Sequence, residues 1–584
     1  MKNTLQHSLP FNASPAAPAG PRNLVIEAGA GTGKTSAIVA EVLRLLLDDE
    51  GLDPERIVLM TFTEKAAGEI ADRIHEALAE LELRFDDDEI VWPAGSPKPL
   101  LVVPREKKDA WRRACAKQIA RIDAIRSQTI HSFCQSLLRM YPIEAGLDPQ
   151  FKIIQGFEHS LLFDQAYDAW LDDETRVNPS PEKLQEWEFL LAHVGYLFQI
   201  RDLVFALVSR RDLLREDAAG FGSIAEVEDD LLGAITTIRR GDLSRLNADH
   251  ALDVFKYVQA NEPPRGGSLE AWIAYFEPIA IPLREANLPR DPVLKEALIV
   301  LRTEKDKGAP IYDRLIRHRS AVALLALTLR FIAFLDEEKK KLGVADFDDL
   351  LLRTLALLEN PAVLDRARQQ FDYLFVDEFQ DTDRTQAKII EKLATDRSGA
   401  WIPGRTVVVG DPKQSIYGFR RADPETYRAM TGAMIEAGAE HRPIIGQYRS
   451  DPPLLDAINA IFACVFADSS SDANVFRPEY RALQAGKREL RRESDARITF
   501  LHSEAGVEGH RYLREAEAVA EWILAHRDGG GRDLQRFAIL FRRLTKLDEY
   551  LDTFDRYGID YVLPTTRAFL DRRAPVDILA VLRA

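Results

Sequence analysis

The chain has 584 residues, 46% of them hydrophobic and 29% charged. That is ordinary for a soluble globular protein of roughly three to five domains and argues against wholesale disorder. Its 32 glycines and 30 prolines follow no period, which excludes collagen-like and mucin-like chains. Three scattered cysteines (Cys115, Cys134, Cys464) make neither a disulfide framework nor a tetrathiolate metal site, and fit a reducing cytosol. With 77 Lys+Arg against 93 Asp+Glu, the net charge of −16 excludes a nonspecific polycationic coat on nucleic acid. Local clusters can still line a nucleic-acid channel.

Residues 1–22, rich in Ala, Pro, Asn and Ser, read as a flexible tail with no apolar run of a secretory signal. Leu24-Val25-Ile26 reads as a short buried strand, and Thr32 onward as a helix with Ile38, Val42, Leu45 and Leu46 on one face. Ile57–Met60 is a second strand, followed by a helix over 65–82, an acidic, Pro-rich loop over 86–104 and a basic helix over 107–126. Within that helix Arg113, Lys117 and Arg121 share a face, either as a phosphate track or as a solvated surface. From 151 to 342 helical periodicity dominates and no catalytic signature stands out. Its most apolar stretch, Ala321–Leu335, is short and carries Arg330, so no membrane span is expected. Strands resume at Tyr373–Val376 and Thr406–Val409, and further strands are expected at Phe537–Phe541 and Ile559–Val562 flanking a helix that ends at Tyr557. Strands alternating with helices predict an α/β fold with a parallel sheet.

Three loops carry chemistry. Ala28-Gly29-Ala30-Gly31-Thr32-Gly33-Lys34-Thr35 follows a strand and opens a helix. Its glycines let backbone N–H groups turn inward on phosphate oxygens, and the helix dipole adds to the attraction. Lys34 is placed to bridge the terminal phosphates and Thr35 to ligate Mg²⁺. Val376-Asp377-Glu378-Phe379-Gln380-Asp381 follows another strand. Asp377 is placed to hold the metal and Glu378 to deprotonate the attacking water of ATP hydrolysis. Gly410-Asp411-Pro412-Lys413-Gln414 follows a third strand, where the amide of Gln414 can sense a γ-phosphate. Beyond it Tyr417 and Phe419 face either bases or the core.

Together with Thr61-Phe62-Thr63-Glu64-Lys65-Ala66-Ala67, Thr129-Ile130-His131-Ser132-Phe133-Cys134 and Gln447-Tyr448-Arg449-Ser450, these loops resemble the ordered motifs of UvrD/Rep-type superfamily 1 DNA helicases. Asp411-Pro412-Lys413-Gln414 and Asp346-Phe347-Asp348-Asp349-Leu350 look closest to the RecB/AddA subgroup. The resemblance implies a RecA-like P-loop NTPase sheet built from 23–150 and 343–441, a helical insertion over 151–342, and the beginning of a second RecA-like domain over 442–584. It implies ATP and Mg²⁺ as cofactors and single-stranded and duplex DNA as partners. A cytoplasmic motor moving 3′-to-5′ in double-strand-break repair follows, with a second subunit of a helicase-nuclease complex as a further partner.

By the same resemblance Thr61, Phe62, Thr63, His131 and Phe133 would touch single-stranded DNA, and Tyr417 and Phe419 would stack on bases. Tyr448 would stack on adenine, and Arg449 would reach the γ-phosphate from a second domain. An ordinary ion pair for Arg449 and a structural role for His131 stay open, and Asp346 with Asp349 reads as a helix cap. An adenine-reading glutamine is in doubt, since Gln6 lies in the tail. The later helicase motifs and a nuclease domain do not follow, so a piece of a longer protein is expected, weak in ATP turnover by itself. The alternatives are a stand-alone UvrD-like repair helicase and a nucleotide-dependent DNA-binding or assembly subunit.

Overall fold

The computed structural model describes residues 22–87, 90–93, 100–217, 225–241, 249–264, 269–280, 289, 291–302, 311–467, 478–486, 498–501, 511–527 and 533–563. The expected tail lies outside them except for Arg22. The chain divides into two compact units, Met1–Ser450 with Phe462–Arg488, and Asp451–Ile461 with Glu489–Ala584.

The first unit is built on a parallel sheet, six-stranded among the described residues. Its strands are β1 (Leu24–Ala28), β2 (Ile57–Thr61), β3 (Arg126–Thr129), β4 (Tyr373–Val376), β5 (Thr406–Gly410) and β6 (Glu440–Ile444), in the order β6-β1-β5-β4-β2-β3. The four inner strands are short runs of Val, Ile, Leu and Phe, as strands covered on both faces must be. The pleat sorts them: Ile26 and Leu59 join one buried cluster with Ile38, Val42 and Ile74, while Val25, Val58 and Met60 join another with Phe133, Leu137 and Ile390. Helices therefore cover both faces of the sheet.

The two edge strands are polar, and both depart from expectation. The basic helix ends at Ile119, and Arg126–Thr129 pairs with β2 as an outer strand. Glu440–Ile444 pairs with β1, so the boundary expected at 442 falls inside a strand of the first unit. An edge strand needs no apolar residues on its open flank, and Pro443, which has no N–H to donate, is tolerated there.

The insertion leaves and returns at one point, where Lys152–Ile153 pairs with Val344–Ala345. Its described elements beyond that pairing are helical. One core gathers Phe163, Tyr167, Trp170, Trp187 and Phe331, and another Phe255, Trp272, Phe276 and Leu298. The helix Ile311–Leu342 contributes to both, Leu315 to the second and the apolar run Ala321–Leu335 to the first, so this helix is the insertion's spine. Among the described residues no single helix is long and apolar enough to cross a membrane. In the second unit the helices Arg511–His526 and Leu547–Tyr557 pack through Ala520, Ile523, Tyr550 and Phe554. The strands expected at 537–541 and 559–562 are not formed: neither segment has a ladder partner among the described residues. Without a neighbour to exchange backbone hydrogen bonds, β-prone residues do not make a strand.

Candidate active site

All six strands run the same way, so every loop that leaves a carboxyl end emerges on one edge of the sheet, where open α/β sheets hold ligands. The Gly-rich loop leaves β1, the Asp411–Gln414 segment leaves β5, the Asp377–Asp381 segment leaves β4, Phe62–Thr63 leaves β2, and the His131 helix leaves β3.

The β1 loop is shaped as its glycines require. Gly31 and Gly33 adopt φ of 73° and 91°, and a Cβ at Gly31 would stand 2.6 Å from the Cβ of Arg449. The Thr32 hydroxyl donates to Gly29 O at 2.8 Å. Ala28 ends the strand, fully buried, while Ala30 is exposed on the loop. The helix Lys34–Asp48 begins without a side-chain cap, leaving its first N–H groups open to an anion. Lys34 Nζ lies 2.6 Å from Glu378 Oε2.

Glu378 itself has φ of 49°, a conformation that costs about 1–3 kcal/mol in a non-glycine residue and recurs at functional sites. The turn sends the two neighbouring carboxylates apart: Glu378 to Lys34, and Asp377 back to accept from the Glu378 N–H at 2.8 Å. Burial, with the charge of Glu378 added, pushes the Asp377 carboxyl up to about 6. A half-buried carboxylate in that condition fits a cation, and Thr35, at the start of the helix that follows the phosphate loop, carries an oxygen of the kind Mg²⁺ takes.

Gln380 has a place that sequence reasoning missed, although it stood inside the quoted acidic segment. Its amide nitrogen donates to Glu378 Oε2 at 2.7 Å, and its oxygen accepts from the Asp411 N–H at 2.9 Å. It thus joins the β4 and β5 loops. Gly410 makes room for it, since a Cβ there would stand 2.7 Å from Gln380 Oε1. Gln414 donates to Asp411 Oδ2 at 2.6 Å, and Lys413 bridges Asp411 and Glu27.

Arg449 departs from expectation. It was expected on a second domain, yet it falls in the same unit as Lys34. The neighbouring Tyr448 N–H donates to Gly31 O at 2.9 Å, which holds this exposed arginine against the phosphate loop. The Tyr448 ring packs over Gly486, whose missing Cβ would otherwise stand 2.4 Å from it. Gly446–Gln447 pairs with Gln484–Ala485 to carry the segment. Gln6 lies outside the described residues.

The aromatic residues gather on the other half of the edge. Phe62 and Tyr417 lie with ring centroids 4.9 Å apart, and Tyr417 and Phe419 5.7 Å apart. The Arg420 guanidinium lies 5.4 to 5.9 Å from all three rings. Phe419 is 77% exposed. Phe62, Phe419 and Arg420 border a cleft of about 800 Å³ whose other walls include Thr63, His131 and Phe347. Burial lowers the pKa of His131, favouring the neutral imidazole, and its ring meets Phe347 edge-on at 5.1 Å.

Two expected strand contacts need correction. Phe133 is 4% exposed and belongs to the core. Two residues after His131 on a helix of 3.6 per turn, it points to the opposite face. Thr61 is buried at the cleft wall, with its hydroxyl donated to Thr63 O at 2.9 Å, so that proton shapes the turn and is not offered to a ligand. Thr63 caps the next helix through its oxygen and keeps its hydroxyl proton for an outside acceptor. Of the three basic residues expected on one helix face, Arg113 and Lys117 are occupied by Glu50 and the Glu50 carbonyl, while Arg121 lies beyond the end of that helix and pairs with Asp53. Asp346 and Asp349 form the reciprocal cap expected of them.

A Gly-rich phosphate loop, an acidic pair and an aromatic cleft on one edge of a parallel sheet define a RecA-like P-loop NTPase of the helicase type. The chain belongs to the UvrD/REP helicase family, whose N-terminal domain matches residues 12–434. It is similar to RecBCD enzyme subunit RecB of Escherichia coli K12, 28% identical over 80% of this chain and 40% of that protein. It is also similar to an ATP-dependent helicase/nuclease subunit of Syntrophomonas wolfei, 24% identical over 78% and 38%. The corresponding protein of Listeria monocytogenes serotype 4a is 25% identical over 75% and 38%. The chain thus spans about two fifths of the length of these relatives.

Proposed function

We propose that this chain carries the ATP-driven motor of a DNA translocase and helicase, moving 3′-to-5′ on single-stranded DNA in break repair. The observation that carries the reading is the 2.6 Å contact of Lys34 with Glu378, which brings together a phosphate-binding cation and a water-activating carboxylate from residues far apart in sequence.

In this reading the N–H groups of residues 29–35 cradle the phosphates, and Lys34 leaves Glu378 for the β- and γ-phosphates. Glu378, freed, deprotonates the attacking water, and Gln380 keeps it aligned with the β5 loop. Thr35 and Asp377 hold Mg²⁺, which neutralises phosphate charge when bound. Arg449 stabilises the charge that builds on the transferred phosphoryl group, Gln414 senses that group, and Tyr448 supports the base. Phe62, Tyr417 and Phe419 stack on successive bases, a contact that tolerates any sequence. The names of the similar proteins, subunits of an ATP-dependent helicase/nuclease and of the RecBCD enzyme, support a helicase-nuclease assembly with a second subunit as partner. Duplex DNA as a further partner and a cytoplasmic location are part of the same proposal.

The test is phosphate release and nucleotide binding, each with and without oligothymidylate. Lys34→Ala abolishes tight Mg-ATP binding or turnover, while Glu378→Gln still binds but does not hydrolyse. Hydrolysis by Glu378→Gln at the unsubstituted rate rejects the general-base role. Binding of both ligands with no turnover under any condition favours a nucleotide-dependent assembly subunit.

A further inference from the structure

Among the described residues two non-glycine residues adopt a positive φ, Glu378 and Arg421. The first is accounted for by its ion pair. Arg421, at 72°, closes the loop that presents Tyr417, Phe419 and Arg420: its N–H donates to Gly418 O at 3.0 Å, and the Ala422 N–H to Tyr417 O at 3.1 Å. Glycine would suit that backbone better. An arginine there calls for a use of its side chain.

The guanidinium reaches two carboxylates. Nη2 lies 2.6 Å from Asp348 Oδ2, in the first turn of the helix Phe347–Leu357, and Nη1 lies 3.6 Å from Asp212 Oδ1, in the insertion helix Arg211–Asp217. The residue before Asp212 is anchored: Arg211 is buried and donates to Asp346 and Asp349 at 2.7 and 2.8 Å, and Lys339 pairs with the same two carboxylates. The foot of the insertion is therefore fixed to the start of the helix Phe347–Leu357 through Arg211 and Lys339, and Arg421 ties that foot to the aromatic loop. The Asp212 contact is incomplete. Asp212 Oδ1 is buried without a hydrogen-bond partner among the described residues, and a shift of under 1 Å would bring the guanidinium into bonding range. Ser209 and Arg210 of the insertion border the same cleft as Phe419, Arg420 and Arg421.

We propose that Arg421 is a positioning residue that couples occupancy of the aromatic loop by a nucleic-acid strand to the foot of the insertion. A base stacked at Phe419 displaces the loop, and the guanidinium carries the displacement to Asp212 and its helix. The inference rests on the reading of the cleft as the path of a single strand.

The experiment uses the full chain with fluorescent oligothymidylate, reading affinity by anisotropy and hydrogen exchange over residues 209–214 with and without the oligonucleotide. Arg421→Gly melts no lower than the unsubstituted chain, binds about tenfold more weakly, and loses the oligonucleotide-induced change in exchange. Arg421→Lys, with the same backbone and charge, keeps part of both. Asp212→Asn also weakens binding, and combined with Arg421→Gly it adds little further loss. This last sign is decisive, because a long-range charge effect would make Asp212→Asn bind more tightly. Additive losses, tighter binding by Asp212→Asn, or Arg421→Gly with unchanged affinity and exchange response each overturn the proposal. Oligonucleotide binding without any exchange change at 209–214 in the unsubstituted chain overturns it and leaves the cleft reading intact. Absence of oligonucleotide binding by that chain rejects the cleft reading and the proposal with it.

Discussion

On the carboxyl side of β1, β5 and β4 the charged groups already hold one another: Lys34 rests on Glu378, Lys413 bridges Asp411 and Glu27, and Gln414 bonds Asp411. On the side of β2, the surface offered is Phe62, Tyr417 and the open ring of Phe419 with Arg420 among them. The first half can receive a triphosphate only by exchanging partners, so its ligand must offer charges at least as good as those displaced. The second half can receive bases by adding contacts, with no bond broken first. In the proposed function, selectivity for one chemistry and tolerance of many sequences would thus sit on adjacent stretches of one sheet edge.

The largest effect that tests this contrast comes from the exchanging half. Glu378→Gln is expected to lower hydrolysis by about 10²–10⁴-fold while nucleotide binding survives, read as phosphate release against equilibrium binding. Next come two phenylalanines that looked alike in sequence. Phe133→Ala is expected to cost about 3–5 kcal/mol of folding stability and to leave strand affinity per folded molecule unchanged. Phe419→Ala is expected to leave the melting temperature in place and to cost about 1–3 kcal/mol of strand binding. If the two exchange behaviours in melting and anisotropy, the assignment of core and cleft is reversed.

A smaller effect concerns acid. The hydrogen bond from His441, then the charges of Lys413 and Arg481, hold the Glu27 carboxyl down from 4.5 to about 2, against the opposing effect of burial. A lowered acid pKa stabilises the fold above the unfolded value and loses that contribution as pH falls through the folded one. Glu27→Gln should therefore melt earlier than the unsubstituted chain at neutral pH, and the gap should narrow between pH 4.5 and about 2. A gap that stays constant in thermal melts across that window separates Glu27 from the network. The smallest effect is expected at Arg121, whose partner Asp53 stands on the surface. Arg121→Ala should change stability by at most about 1 kcal/mol and leave the salt dependence of strand binding unaltered. A shallower salt slope would restore Arg121 as a phosphate contact.

The phosphate loop was fully legible in the sequence because its parts are neighbours: a buried strand, glycines where φ turns positive, and a helix that starts on Lys34. The acidic pair, the turn after β5 and the helical character of the insertion were legible for the same reason. The edge strands were not, because Arg126–Thr129 and Glu440–Ile444 lack the apolar run that marks a covered strand. Nor was the division between His131 and Phe133, which depends on which side of their helix meets the sheet.

By itself, then, the sequence determined what each loop can do, since the demands of a tight turn or a helix start are met by adjacent residues. Which loops meet was decided by strand order alone. Lys34 and Glu378 stand 344 residues apart, and they touch because β5 lies between β1 and β4 with all three strands parallel. The same order set Gln380 against the β5 loop, Arg449 beside Gly31, and Arg421 between the aromatic loop and the insertion. Such contacts are properties of a packed sheet and its crossovers, where the energy of a side chain depends on neighbours that no local stretch of sequence contains.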